Sequence, residues 1–303
     1  MRLYTHPACT RHDPGPGHAE RPLRLVAVTE ALRGAFPTLE WFEAPRATRG
    51  QLLRVHEDAL LALVLDTPVD HAIALDPDTV LAPGSAEAAL RAAGSGVAAV
   101  DAVIAGDTQR AFCAVRPPGH HATGSIAMGF CLFNSIAVAA AHACEKHGLA
   151  RVAVIDFDVH HGNGTQAIFG NDPRVLYLSS HQMPLYPDTG YANERGIGNV
   201  VNAPLPPGAG SEAFRDAWRE RLLPVLDSFR PQLVLVSAGF DAHRRDPLAQ
   251  LELEADDYAW LTTELASIAT RHAQGRIVSM LEGGYDLAAL GDCSVAHVGA
   301  LLD

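Results

Sequence analysis

The chain has few cysteines and few positive charges, and each shortage excludes something. Its five cysteines (Cys9, Cys113, Cys131, Cys144, Cys293) form no C-x-x-C pair, so a disulfide framework and a thiolate zinc cage are not expected, and reduced, mostly buried thiols are. Lys and Arg number 23 against 35 Asp and Glu, a formal charge of −12 over 303 residues. That field repels phosphates and argues against a grip on nucleic acid, while permitting cationic partners. No apolar run reaches the roughly 18 to 20 residues of a membrane span, so the alanine-rich stretches read as amphipathic or buried helices. The start, MRLYTHPACTRHD, lacks the charged segment and apolar middle of a secretory leader, which makes cytoplasmic location the expectation. Linkers, repeats and charge blocks are missing too, and residues 1–303 read as a single domain.

What is present is a large apolar fraction, 48%, with 19% charged residues and fifteen histidines. Short β-branched runs alternate with alanine-rich helical patterns, the signature of an α/β fold whose parallel sheet is covered on both faces. Strands are predicted at 111–115, 152–157, 175–178, 233–236 and 277–281. Ser85 reads as the cap of a helix over 86–105, and residues 134–147 as another helix. Ser211 reads as the cap of a third, with Phe214, Ala217, Trp218, Leu222 and Val225 on one face and a kink at Pro224. Four of the strands run directly into polar segments: RPPGHHA, DVHHGNGTQ, SAGFDAH and EGGYD. In an open α/β sheet, ligands bind outside the carboxyl ends of the strands, so these segments are expected to meet on one edge.

Strand alternation would point Asp156, Asp158 and His160 the same way. Two acids alone would suit a helix cap, but an imidazole and the Gly162-Asn163-Gly164 turn added to them suggest a metal. Carboxylate and imidazole donors fit zinc, iron or manganese better than calcium. A catalytic zinc takes three protein ligands and leaves a place for water. Asp158 and His160 supply two, and Asp241, in a glycine turn beyond the 233–236 strand, is the favoured third. His161 and His243 compete, although His161 would face away from His160. His120 and His121 emerge from the rigid Arg116-Pro117-Pro118-Gly119 turn, and beside a metal-bound water two imidazoles make a general base and acid. Tyr285, on a glycine turn, is placed to donate to a developing oxyanion.

In order, RPPGHHA, GFCLFN, DFDVHHGNGTQ, SAGFDAHRRDPL and LEGGY resemble the zinc-dependent histone deacetylase superfamily, closest to its class II and bacterial amidohydrolase-like branch. The resemblance runs from Pro14 to Tyr285 and implies the arginase/deacetylase three-layer sandwich around a mostly parallel sheet. It implies zinc held by Asp158, His160 and Asp241, with His120 and His121 flanking the catalytic water. Asp156 would stand behind His120 and Asn163 behind His121, making His121 the base and His120 the more cationic partner. Gly129, Phe130, Tyr186 and Leu248 would line the substrate passage, with Tyr186 replacing the phenylalanine of many relatives. Asp76 lies near the position of an acid that binds substrate backbone. Structural potassium is implied at backbone oxygens around Asp156, Asp158, His160 and Ser180 and at the Ser179 hydroxyl, and a second monovalent site, on a weaker match, near Phe169, Asp172 and Val175. The implied reaction is zinc-dependent hydrolysis of N-acetyl or other N-acyl amides on lysine side chains, with acetylpolyamine hydrolysis as the alternative. The expected partners are an acyl-lysine peptide or small acylated amine, with a homo-oligomer left open. An arginase-like dimetal hydrolase and a catalytically dead binding module fit the motifs less well.

Overall fold

The computed structural model describes residues 1–303. Its strands are β1 (Arg2–Thr5), β2 (Trp41–Glu43), β3 (Ile73–Ala74), β4 (Val80–Leu81), β5 (Arg110–Cys113), β6 (Val152–Asp156), β7 (Val175–Gln182), β8 (Val200–Leu205), β9 (Leu233–Ala238) and β10 (Ile277–Leu281). Eight of them form one sheet in the order β2-β1-β5-β10-β9-β6-β7-β8, and every pairing in it is parallel. β3 and β4 form a small antiparallel hairpin apart from it. Central strands such as β6 (VAVID) and β9 (LVLVSA) are buried along their whole length, as a sheet covered on both faces requires.

The helices are α1 (Leu23–Ala35), α2 (Arg49–Leu52), α3 (Asp58–Leu65), α4 (Ser85–Ala105), α5 (Ser135–Lys146), α6 (Asn163–Phe169), α7 (Ser211–Asp216), α8 (Leu223–Phe229), α9 (Ala255–His272) and α10 (Leu287–Leu302). α10 packs between α1 and α9 on one layer, whereas α4 and α5 pack together on the other. This is the α/β sandwich that the alternation of strands and helices predicted. β5, β10, β9 and β6 are consecutive in the sheet, so the four strand ends that carry the polar motifs are neighbours on its C-terminal edge.

Two local expectations change. Ser85 lies inside α4, and left-handed Gly84 (φ 90°) precedes it. The Ser85 hydroxyl instead accepts from the Ala82 N–H at 2.8 Å and bonds to His12 Nδ1 at 2.7 Å. Ser211 likewise does not cap its helix: it donates to Asp257 Oδ2 at 2.6 Å. A π-helical stretch, Ala217–Leu222, joins α7 to α8 just ahead of Pro224, which has no N–H to continue the α-helical ladder. α4 is long and apolar enough to cross a membrane by length and composition. Glu87, Arg91 and Asp101 interrupt its apolar run, in keeping with the buried helix expected of an alanine-rich stretch. Of its apolar window, 67% is buried inside the protein, as in a core helix.

Behind the sheet edge lies a buried ion cluster. Glu20, fully buried, accepts from Arg24 Nη1 at 3.0 Å, from Arg116 Nη2 at 2.6 Å and from Arg116 Nε, with His12 Nε2 3.3 Å away. Arg24 also donates to the carbonyls of Glu282 and Gly284, and Arg116 to that of Cys9. Burial pushes the Glu20 pKa up, but Arg116, His12 and Arg24 outweigh it and hold the carboxyl well below its ordinary range. Its contribution to stability is therefore present above the unfolded value near 4.5 and is lost as pH falls. Glu20→Ala leaves two buried guanidiniums uncompensated and should cost about 3 to 5 kcal/mol in denaturant unfolding at neutral pH; a loss below about 1 kcal/mol would contradict the cluster's role.

Candidate active site

β6 ends at Asp156, so simple strand alternation does not govern the residues that follow. The backbone turns instead, with the N–H of Asp158 donating to Asp156 Oδ1 (3.2 Å) and that of His160 to Asp158 Oδ1 (2.9 Å). The turn brings His160 Nδ1 to 3.2 Å from Asp158 Oδ1 and 3.1 Å from Asp241 Oδ2. Asp156 points elsewhere. Donor atoms of Asp158, His160 and Asp241 all lie within 4.8 Å of one another, and all three residues are buried. Burial opposes charge on His160, yet the two facing carboxylates override it and raise its pKa to about 10.

This donor set fits a divalent transition metal, and the surrounding backbone is shaped to leave room for it. A Cβ on Gly239 would sit 1.9 Å from Asp158 Oδ2, and one on Gly283 would sit 2.1 Å from Asp241 Oδ2. The free carboxylate oxygens are aimed by backbone donors: Asp241 Oδ1 accepts from Val159 N at 2.9 Å and Asp158 Oδ2 from Gly283 N at 2.8 Å. The competing histidines lie outside the cluster. His161 bonds to Thr189 Oγ1 and Gln166 Oε1, and His243 accepts from Arg245 N while facing Glu254.

The His120 and His121 rings lie against each other at a tilt of 46°, with centroids 4.0 Å apart. His120 Nδ1 meets Asp156 Oδ2 at 3.0 Å, and the same oxygen accepts from the Tyr177 hydroxyl at 3.0 Å. His121 Nδ1 lies 2.8 Å from Asn163 Oδ1, an oxygen that only accepts, so Nδ1 carries the hydrogen and Nε2 presents its lone pair. Burial disfavours charge on both rings. At His120 it is overridden by Asp156 and Asp158, which raise the pKa to about 10, whereas His120 and His160 reinforce it at His121, whose pKa falls well below the ordinary value. Glu282, which sequence reasoning passed over as part of a glycine turn, is buried and holds the loop in place. Its Oε2 accepts from the N–H groups of Gly119 (2.6 Å) and His120 (3.2 Å), and its Oε1 from the Ser237 hydroxyl (3.2 Å).

A cavity of about 210 Å³ opens beside this cluster. His121, His160 and Tyr285 reach it, and Gly129, Phe130, Tyr186 and Leu248 form its walls with Leu185 and Asp78. Gly129 has a left-handed φ of 56°, and a Cβ there would strike His121 Cδ2 at 2.5 Å. The Tyr285 ring meets Phe130 edge-on at 5.8 Å, and the Arg24 guanidinium lies 4.9 Å from its centroid. Its N–H donates to Asp246 Oδ2 at 2.7 Å, while its hydroxyl has no hydrogen-bond partner within the protein. Burial holds the phenol well above its usual pKa, so it keeps its proton. Asp78, not Asp76, lies on the wall: Asp76 Oδ1 accepts from the N–H groups of Asp78 and Thr79, as a loop acid does. A larger concavity, about 620 Å³ around Ala192 and Arg221, lies apart from these groups.

His181 Nε2 faces the Gly190 carbonyl at 2.9 Å and must donate, so its Nδ1 accepts from the Ser179 hydroxyl at 2.8 Å. Both lone pairs of the buried Ser179 oxygen thus receive no hydrogen from the protein, which suits a cation next to Asp156. The Ser180 hydroxyl accepts from Trp218 Nε1 at 3.0 Å.

Comparison with known proteins assigns the architecture. Residues 18–301 match the histone deacetylase domain. A histone deacetylase-like amidohydrolase of Pseudomonas aeruginosa is 42% identical over 291 residues, covering 93% of this chain and 76% of that protein. The human polyamine deacetylase HDAC10 is 38% identical over 301 residues, covering 93% of this chain and 44% of its own. The crystal structure of the HDA15 HD domain superposes with a TM-score of 0.94 at 35% identity, covering 99% of this chain and 87% of that one. An α/β hydrolytic enzyme is thereby defined, and the chain belongs to the histone deacetylase family.

The glycine cradle gives a direct test. Gly239→Ala pushes a methyl group into Asp158 and should weaken metal binding by about 10 to 100-fold in a chelator-competition titration while the protein stays folded. Metal affinity equal to that of the unmodified chain would contradict the assignment.

Proposed function

We propose that the chain is a zinc-dependent deacylase that removes acetyl or related acyl groups from lysine side chains, with residues 1–303 forming one catalytic domain. The observation that carries this reading is the meeting of His121, His160 and Tyr285 in one narrow cavity walled by Phe130, Tyr186, Leu185 and Leu248. Apolar and aromatic walls suit an alkyl stem, and the polar groups of the same lining suit an acyl head. Held by Asp158, His160 and Asp241, zinc would supply Lewis acidity to the acyl oxygen and to water.

The chain's own residues account for the proton movements. His121 Nε2, its lone pair fixed by the Asn163 contact, takes a proton from water as the water oxygen attacks the acyl carbon. The same nitrogen then returns the proton to the leaving amine as the C–N bond breaks, giving a carboxylate and a free amine. His120, paired with Asp156, stays cationic and favours negative charge building at the acyl oxygen. The unpartnered Tyr285 hydroxyl donates to that oxygen. One structural potassium beside Asp156, Ser179 and the Ser180 carbonyl completes the reading, with an intracellular, cytoplasmic setting and no nucleic-acid partner.

A second reading, hydrolysis of a small acetylated amine, is favoured by one feature. The Asp78 carboxylate on the cavity wall suits an ammonium group, and one relative carries the name polyamine deacetylase. Turnover of an acetyl-lysine peptide and of N-acetylputrescine, each with and without chelator, separates the two: the first reading predicts faster, chelator-sensitive peptide turnover, and preference for N-acetylputrescine would replace it with the second. Tyr285→Phe should retain its metal and lose about 100 to 1,000-fold in kcat. Near-unchanged turnover by that variant would remove Tyr285 from the mechanism.

A further inference from the structure

We propose that the side-chain amide of Asn199 fills a cage of backbone carbonyls that would otherwise hold a monovalent cation, so that this chain carries no cation there. The resemblance placed a second cation near Phe169, Asp172 and Val175, and the structure shows what stands in that place. Asn199 Nδ2 donates to the carbonyl oxygens of Phe169 at 2.7 Å, Asp172 at 3.0 Å and Val175 at 2.9 Å. A ring of carbonyls drawn around one point is the chemistry that replaces the hydration shell of potassium. Here the point is a nitrogen with two hydrogens for three acceptors, so one hydrogen is shared and the group acts as a compact positive pole.

The orientation of the amide is fixed by its other end. Asn199 Oδ1 accepts from Ile197 N at 3.2 Å, and a flipped amide would aim its oxygen at three carbonyls and its NH₂ at an N–H. The residue is buried, and the loop closes tightly over it. A Cβ on Gly196, whose φ is +53°, would lie 2.5 Å from the Gly170 carbonyl and 2.7 Å from Asn199 Oδ1. The Asn199 carbonyl also accepts from Tyr177 N at 2.9 Å, tying the start of β8 to β7.

The consequence reaches the active site through α6. The cage sits at the C-terminal end of that helix, where carbonyl dipoles favour positive charge, and Asn163 at its other end orients His121. With an amide as the permanent positive pole, the seating of α6 does not depend on the ions in solution at this place. The inference is independent of the substrate and of the catalytic metal.

Crystals of the full chain soaked in a thallium(I) salt, with the anomalous signal mapped, test it without measuring turnover. The unmodified chain should show no thallium peak within bonding distance of the three carbonyls, and a peak there would overturn the proposal. Asn199→Ala should gain that peak, and a folded Asn199→Ala protein with an empty cage would also count against it. Asn199→Asp turns a carboxylate toward the carbonyls and should give a melting temperature that rises by several degrees more than that of the unmodified chain when potassium replaces choline at constant ionic strength. An equal rise in both proteins would contradict the proposal, and the map of the unmodified chain decides the matter if either variant fails to fold.

Discussion

Negative charge buried at the C-terminal edge of the sheet is the constraint on which the rest of the structure depends. Asp156, Asp158, Asp241 and Glu282 are each at most 1% exposed, and all cluster on that edge. A buried carboxylate is tolerated only when it is paired and hydrogen-bonded, and the four are compensated in different ways. Asp156 is met by His120 and the Tyr177 hydroxyl, and Glu282 by two backbone N–H groups and Ser237. Asp158 and Asp241 share one imidazole and three backbone donors between them, a pairing that leaves negative charge for a bound cation to neutralise.

The same constraint explains the backbone around the site. Carboxylates this close to main chain exclude side chains, and so glycine stands at 239 and 283, where a methyl group would overlap carboxylate oxygens. Loops from widely separated parts of the chain supply the rest. Arg24 reaches across 260 residues of sequence to the Gly284 carbonyl and lies against Tyr285, while Glu20 ties Arg24 to the Arg116 turn that presents the histidines. The phenol, the histidine pair and the Asp158, His160 and Asp241 cluster are therefore held by one connected polar network.

Much of this was legible in the sequence, for a physical reason. A strand buried on both faces reads as an apolar run, and a polar segment directly after it marks the sheet edge. β5, β6, β9 and β10 were found in this way, β10 with both ends matched and the others with ends within two residues of those observed, whereas β7, expected to stop at 178, runs on to Gln182. The edge strands β2 and β8, and β1 beside β2, lack so clear a run. Asp158 and His160 do converge, but through a turn in which carboxylates bind backbone N–H groups, a geometry that period-two alternation cannot express. Glu282, Arg24 and Asp78 gave no local signal, because their partners lie far away in sequence. Ser85 and Ser211 looked like helix caps and were instead recruited by His12 and Asp257, since long-range partners outcompeted the local bond.

The central claim is that one metal ion sits among Asp158, His160 and Asp241. X-ray absorption at the metal edge, on protein purified with its own metal and counted per chain, tests it most directly. The account predicts about one metal per chain with a first shell of oxygen and nitrogen only, including imidazole scattering and no sulfur. A sulfur shell, or a second metal at about 3.5 to 4 Å, would contradict it.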